Sequence, residues 1–145
     1  MDVYTIGFTQ TTAERFFARL KDAGVRRVLD VRLYNTSQLA GFAKARDLPY
    51  FVRELLGADY EHDLRLAPTP QLFFDYKRRG GAWSVYERGF LALMAQRQIE
   101  RALSPAQFRT PTALLCTEPT AERCHRRLVC QHLAEHWSHL RAVHL

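Results

Sequence analysis

The sequence has no long apolar run, few cysteines and no recognisable export signal, and each absence disfavours a class of protein. The longest unbroken apolar runs, such as 90–95, fall far short of the roughly 18–20 residues that a membrane-spanning helix needs. The first residues, MDVYTIGF, lack the basic segment and apolar stretch of a secretion signal. Three cysteines are an odd number, which argues against a disulfide framework. We therefore expect a reduced, cytoplasmic protein with no membrane partner.

Acidic residues are also in the minority. The chain has 21 Lys and Arg against 15 Asp and Glu, which gives a formal net charge of +6. This excess favours an anionic partner, either a small phosphate-like ligand or a nucleic acid. The basic residues are spread along the chain, and the cluster Lys77–Arg79 is too short to count as a nucleic-acid-binding run. Nucleic acid stays a possible partner, and the sequence does not indicate an oligomeric state.

The composition is that of a globular protein, with 145 residues of which 47% are apolar and 25% charged. We expect a single domain over residues 1–145, because no linker or repeat divides the sequence. Strand-like segments alternate with helical ones, which predicts an α/β three-layer domain with a small, mostly parallel sheet of about four strands flanked by helices. The predicted strands cover 3–6, 25–31, 112–116 and 140–144, with a short extended piece within 59–66, and the predicted helices cover 13–23, 48–56, 71–79, 84–103 and 119–137.

Polar residues follow three of the predicted strands where each strand ends. Thr9 follows the first strand, Asp30 and Arg32 close the second, and Cys116 and Glu118 leave the third. The carboxyl ends of parallel strands meet at one edge of a sheet, and ligands of open α/β sheets bind there. We therefore expect a hydroxyl, two carboxylates, a guanidinium and a thiol to converge on one rim.

The segment 116–127, CTEPTAERCHRR, carries the densest group of reactive side chains. We predict a helix that begins at Pro119, whose free backbone N–H groups would favour an anion. A thiol close to such a helix end and to arginines can become a thiolate nucleophile, which makes Cys116 the candidate. The alternative is that Cys116 and Cys124 are small core residues.

These residues together predict an enzyme, or a degenerate enzyme, that acts on a small phosphate- or nucleotide-like anion. Cys116 would be the nucleophile of a hydrolase or transferase, and Arg32 and Arg126 would hold the anion. Protons would be handled by Asp30, Glu118 or His125. Two alternatives stay open: a basic nucleic-acid-binding or processing accessory protein, and a ligand sensor without chemistry.

The polar stretch 34–44, YNTSQLAGFAK, could line the same pocket. Asn35, Ser37 and Gln38 are candidate ligand contacts, and Lys44 could meet a phosphate. A solvated surface loop is the alternative interpretation of this stretch.

A histidine-rich segment offers a possible metal motif. His132, Glu135 and His136 fit the H-x-x-E-H pattern of inverted zinc peptidases. A five-residue pattern in a histidine-rich helix arises easily by chance, so we assign neither a metal nor a cofactor.

Several motifs together resemble the domain-of-unknown-function family 488 (DUF488). They are YTIGFT at 4–9, DVR at 30–32, CTE at 116–118, CHR at 124–126 and VHL at 143–145, while DVRLYNTSQLAGFAK, LAPT at 66–69 and Trp83-x-x-Tyr86 are similar to one branch. Many members carry His where Phe8 stands. The resemblance implies a small cytosolic prokaryotic α/β protein whose motif residues gather at strand ends, and it supplies no substrate. The site positions that it carries over are Gly7, Thr9, Asp30, Arg32, Cys116, Glu118, Cys124, His125 and Arg126.

Overall fold

A computed structural model of the chain describes residues 1–36 and 40–145. Five strands form one sheet in the order β3-β2-β4-β1-β5, and every pairing is parallel. The α/β class is therefore confirmed. The sheet has one strand more than the four predicted with boundaries, because the possible extended piece within 59–66 pairs with β2. The strands are β1 (Asp2–Gly7), β2 (Arg27–Asp30), β3 (Asp59–His62), β4 (Thr112–Cys116) and β5 (Arg141–His144).

Helices cover both faces of this sheet. Because successive side chains of a strand point to opposite faces, Leu114 of β4 packs into one core and its neighbour Leu115 into the other. The first core contains residues of α4 and α6, and the second contains residues of α1 and α2. No helix within the described residues is long and apolar enough to cross a membrane. The helices are α1 (Ala13–Asp22), α2 (Leu48–Leu56), α3 (Pro70–Lys77), α4 (Trp83–Arg97), α5 (Ile99–Ala102) and α6 (His125–His136).

Two predicted helices differ from the observed ones. The helix predicted over 84–103 is interrupted at Gln98, whose left-handed backbone (φ 50°) separates α4 from α5. The helix predicted from Pro119 begins only at His125. The carbonyl of Glu118, which a helix starting at Pro119 would use for its first hydrogen bond, accepts instead from Arg126 Nη1, and Thr9 holds the preceding carbonyl of Thr117.

A buried ionic network lies at the end of β2. The Asp30 carboxylate is fully buried, and it accepts hydrogen bonds from Arg32 Nε and Nη2, both at 2.8 Å. The Tyr60 hydroxyl donates to it at 2.5 Å, and Asn35 Nδ2 at 3.3 Å. Burial raises the pKa of Asp30, but the hydrogen bonds and charge of Arg32, with Tyr60, hold it below the ordinary value. Asp30 is therefore a charged carboxylate that is already hydrogen-bonded to Arg32, Tyr60 and Asn35.

We expect Tyr60→Phe to lower the free energy of unfolding by about 1.5–3 kcal/mol, because it removes a hydrogen bond to a buried charge. Tyr50→Phe is the matched control, since Tyr50 is 55% exposed, and its effect should stay within about 0.5 kcal/mol. Since the pKa of Asp30 is depressed by folding, the stabilisation is present above the unfolded pKa of about 3.9 and is lost as pH falls through the folded value. Urea unfolding at several pH values measures both effects, and equal loss in the two variants would contradict this account.

Candidate functional site

The loop between β4 and α6, residues 117–124, is held by the end of β1. Thr9 donates to the carbonyl of Thr117 from its backbone N–H at 3.3 Å and from its hydroxyl at 2.8 Å. Gly7 lies so close beneath this loop that a Cβ atom there would stand 1.7 Å from the carbonyl oxygen of Glu118. Arg126 Nη1 donates to that same carbonyl at 2.6 Å. Gly7, Thr9 and Arg126 therefore set the position of the loop that follows Cys116.

Cys116 and His125 stand next to one another across this loop. Cys116 ends β4, His125 begins α6, and the Sγ atom lies 3.5 Å from His125 Nδ1. The other ring nitrogen, Nε2, lies 2.7 Å from the carbonyl oxygen of Val31. Sγ is also 3.9 Å from Nε2, so the sulfur lies beside the ring between its two nitrogens. Because a carbonyl only accepts hydrogen bonds, Nε2 carries a proton, and in the neutral ring Nδ1 is the nitrogen that can accept one. A turn of the Nδ1 lone pair toward the sulfur would let the imidazole take the proton of Cys116.

The three thiols differ in their tendency to ionise. The hydrogen bond from Cys124 lowers the pKa of Cys116, whereas burial raises it. The backbone N–H of Thr117 and the charge of Arg126 lower this pKa further, so that it lies below its ordinary value. The pKa of Cys124 is raised well above its ordinary value because it donates to Cys116 and is itself buried. Burial raises the pKa of Cys130 to about 12. Cys116 is thus the thiol that is prepared to form a thiolate.

A cavity of about 110 Å³ opens beside Cys116 and His125. One side of it is an aromatic wall, in which the rings of Tyr76 and Tyr86 are 4.7 Å apart and those of Trp83 and Tyr86 5.4 Å apart. A volume of this size suits a small ligand or one end of a larger one. The cavity is lined by Arg32, Leu33, Tyr34, Phe73, Tyr76, Lys77, Trp83, Tyr86, Cys116, Thr117, Glu118, Arg123, Cys124 and His125.

Cationic side chains face this cavity from three directions. Lys77, at the end of α3, forms an ion pair with Glu118 of the loop, and Arg123 lies further along the same loop. Arg32 uses Nε and Nη2 on Asp30 and on the Ala43 carbonyl. Its Nη1 is buried and has no hydrogen-bond partner among residues 1–36 and 40–145. The site therefore combines a thiol, an imidazole and positive charge around one cavity.

Comparison with family models identifies the family of the chain. The family model described as "Domain of unknown function DUF488" matches residues 12–133. The chain belongs to the DUF488 family. No curated protein and no solved structure matches the chain significantly. The matched stretch includes Cys116, the loop and His125, whereas β1 with Gly7 and Thr9 lies outside it.

This DUF488 structure separates the predicted site residues into groups. Cys116, Glu118, Cys124, His125 and Arg32 line the cavity, and Gly7, Thr9 and Arg126 support the loop. The remaining residues are in neither group: Asp30 and Asn35 belong to the network with Tyr60, Lys44 is not among the residues that line the cavity, and Ser37 and Gln38 lie outside the described residues.

The sequence alone did not predict the aromatic wall or two of the cations in this DUF488 protein. Trp83 and Tyr86 are three residues apart at the start of α4, so the spacing places them on one helix face. That spacing is equally typical of core packing, and no motif pointed to Lys77 or Arg123 as ligand contacts. Phe8 is buried beneath the Arg32 guanidinium, with 5.0 Å between the guanidinium carbon and the ring centroid.

Two clusters in the described part of this family member have donor atoms of the kind that bind metals. Cys116, Cys124 and His125 place two sulfur atoms and a ring nitrogen within 4.8 Å of one another, as a soft or borderline ion such as Zn²⁺ prefers. Arg126 Nη1 lies 3.5 Å from Cys124 Sγ, and this positive charge stabilises thiolates but opposes a divalent cation. Glu100, His132 and His136 form the second cluster.

We expect Cys116 to react with iodoacetamide half-maximally below about pH 8.5, the ordinary pKa of a cysteine, because the thiolate is the reactive form. Cys130 should stay unmodified over the same range. Cys124→Ala removes the hydrogen bond to Cys116 and should move the midpoint upward, while Cys124→Ser keeps a donor and should move it less. Peptide mass spectrometry measures each site, and a midpoint at or above pH 8.5 in the unsubstituted chain would exclude an activated thiol.

We expect Gly7→Ala to displace the loop 117–124, because the added Cβ has no space beside the Glu118 carbonyl. The variant should lose stability by about 1–3 kcal/mol, and the rate of Cys116 alkylation should change with the loop. Gly41→Ala is the matched control, since no atom of the described residues, 1–36 and 40–145, lies within 4 Å of a Cβ at Gly41. Thermal unfolding and alkylation of both variants test this, and it fails if Gly7→Ala behaves like Gly41→Ala.

Proposed function

We propose that this DUF488 protein is a cysteine-dependent enzyme, a hydrolase or transferase, that acts on a small anionic ligand with a planar apolar part. The observation that carries the proposal is the 3.5 Å contact between Cys116 Sγ and His125 Nδ1, beside a cavity that both residues line. A thiol and a base in hydrogen-bond contact, with the base oriented by a third group, are the mark of an activated nucleophile. Here the third group is the carbonyl of Val31.

The reaction would begin when Cys116 gives its proton to His125 Nδ1. The thiolate attacks an electrophilic carbonyl or phosphoryl centre of the substrate, and a bond forms between sulfur and that centre as the bond to the leaving group breaks. The leaving group departs with the proton held on His125. In the second step His125 takes a proton from water or another acceptor, whose oxygen attacks the same centre and breaks its bond to sulfur. His125 then passes this proton to the released Cys116 thiolate.

The cations supply the affinity for an anion in this proposal. Arg32 Nη1 is a buried donor without a partner among the described residues, and Lys77 and Arg123 line the same cavity. A charged group of the ligand would take up these donors, since an ionised hydrogen bond is stronger than a neutral one. Glu118 holds Lys77 until the ligand arrives. The ring of Tyr86 and its aromatic neighbours would pack against the planar part of the ligand.

Two other functions stay predictions. A ligand sensor would use the same cavity without chemistry, and a nucleic-acid accessory protein would use exposed basic residues such as Arg78 and Arg79, next to Lys77. The structure favours the enzyme over the sensor because binding alone has no need for a thiol paired with an oriented imidazole. We place the enzyme in the cytoplasm, since all three cysteines are free thiols.

Turnover of p-nitrophenyl phosphate and p-nitrophenyl acetate tests the proposal. Both probes carry a planar aromatic group, and they offer the enzyme a phosphoryl and a carbonyl centre respectively. We expect Cys116→Ser and His125→Gln to lower kcat/KM by about 10²-fold or more on whichever probe turns over. Lys77→Gln should raise KM for the phosphate probe with little change in kcat. Cys130→Ser is the control and should be unaffected.

Two results would count against the enzyme. Turnover that survives Cys116→Ser unchanged would exclude Cys116 as nucleophile. Binding of phenyl phosphate, seen as quenching of tryptophan fluorescence because Trp83 lines the cavity, without product from either probe would favour the sensor.

A further inference from the structure

A second cluster of donor atoms lies away from the cavity, where α5 meets α6. We propose that Glu100, His132 and His136 bind a divalent transition-metal ion, and that Zn²⁺ is the ion that fits these donors best. Two histidines and one carboxylate are a ligand set that zinc sites use. The proposed function does not depend on this site, because none of the three residues lines the cavity beside Cys116.

The three donor groups converge from two helices. His132 and His136 are four residues apart on α6, so they lie on one face, with ring centroids 4.5 Å apart. Glu100 of α5 reaches both: its Oε2 is 2.7 Å from His132 Nε2 and its Oε1 is 4.0 Å from His136 Nε2. Within this group each residue has a donor atom within 4.8 Å of the others. An ion at about 2.0–2.2 Å from each donor needs only small side-chain movements.

The orientation of His136 places its Nε2 toward the Glu100 carboxylate. Its Nδ1 lies 2.8 Å from the backbone carbonyl of His132, so Nδ1 carries the proton when the ring is neutral. The lone pair of Nε2 then faces the Glu100 carboxylate across 4.0 Å. Two electron-rich atoms face each other there, and a proton or a metal ion between them would remove the repulsion. A metal ion has the further advantage that it also engages His132.

This cluster is partly buried and is open to solvent on one side. The His132 side chain is 5% exposed and that of Glu100 16%, whereas that of His136 is 40% exposed. The hydrogen bond from His132 holds the pKa of Glu100 below its usual range, so the carboxylate is charged at neutral pH. Trp137 Nε1 donates to the backbone carbonyl of Glu100 at 3.2 Å and fixes α5 against the end of α6. His132 and Glu100 are therefore held in place before an ion binds, and His136 lies on the side of the cluster that is open to solvent.

The ligand set differs from the one that the sequence pattern H-x-x-E-H suggests. Glu135 is exposed and is not part of the cluster, and Glu100 supplies the carboxylate instead. On binding, the proton that His132 Nε2 now shares with Glu100 moves to the other ring nitrogen, so that Nε2 can donate its lone pair to the ion. The ion would tie α5 to α6, the helix that begins with His125, about 10 Å before His132.

Zinc binding to the full chain, after treatment with a chelator, tests the proposal. Cys116 and Cys124 could bind Zn²⁺ as well, so binding is measured by calorimetry both in the unsubstituted chain and in a Cys116→Ser/Cys124→Ser variant that lacks those thiols. We expect the double variant to bind one Zn²⁺ per chain and to gain thermal stability from it. Glu100→Gln and His136→Gln should each weaken this affinity by about tenfold or more. Mg²⁺ should produce neither effect.

Glu135→Gln is the matched control, because it removes the carboxylate of the sequence motif from the same helix and should leave zinc affinity unchanged. If the double variant fails to fold, the comparison is made in the unsubstituted chain, where Glu100→Gln should reduce the zinc stoichiometry by one. The proposal is overturned if Glu100→Gln and Glu135→Gln bind Zn²⁺ as the parent chain does, or if both weaken binding equally.

Discussion

The hydrogen bond between His125 Nε2 and the carbonyl of Val31 is the interaction on which the site depends. It joins the start of α6 to the end of β2 and decides which ring nitrogen is protonated. Rotating the imidazole, or exchanging its two nitrogens, would turn a proton donor toward Cys116 and remove the base. The chemistry proposed for this protein is therefore set by a main-chain atom.

The buried charges nearby act on the site through that same carbonyl. Val31 lies between Asp30 and Arg32, its N–H donates to Leu115 of β4 at 3.0 Å, and the N–H of Arg32 donates to Asp30 at 3.1 Å. His62 bonds the carbonyl of Arg32 at 2.7 Å. The ion pair between Asp30 and Arg32 is buried and would therefore be costly to break. It holds the backbone that orients His125. Asp30 and Arg32 matter to the site as positioning residues, and Arg32 in addition as a donor whose Nη1 has no hydrogen-bond partner among residues 1–36 and 40–145.

Much of the fold could be predicted because the signals were local. The apolar run TALLC, bounded by Pro111 and a polar segment, predicted β4 with its observed ends, and the helix predicted over 48–56 matches α2, which Gly57 ends in a left-handed conformation. The start predicted at Pro119 was wrong because Arg126 takes the Glu118 carbonyl that a helix would use, and Thr9, distant in sequence, holds the Thr117 carbonyl before it. Convergence at the strand ends was predictable from parallel topology. The partners of the buried Asp30 carboxylate could not be predicted, since Tyr60 meets Asp30 only after β2 and β3 have aligned.

The protonation state of His125 tests the central claim most directly. Nitrogen NMR of the chain labelled with ¹⁵N-histidine, with His125→Gln to assign the signals, reports which ring nitrogen carries hydrogen. The measurement is made on Cys116→Ser, so that no thiol is present at that position, and at a pH above which the ¹⁵N signals of the ring no longer change, so that the ring is neutral. The account predicts a protonated Nε2 and an unprotonated Nδ1. A proton on Nδ1 and a lone pair on Nε2 would contradict it, because His125 would then have no base to offer the thiol.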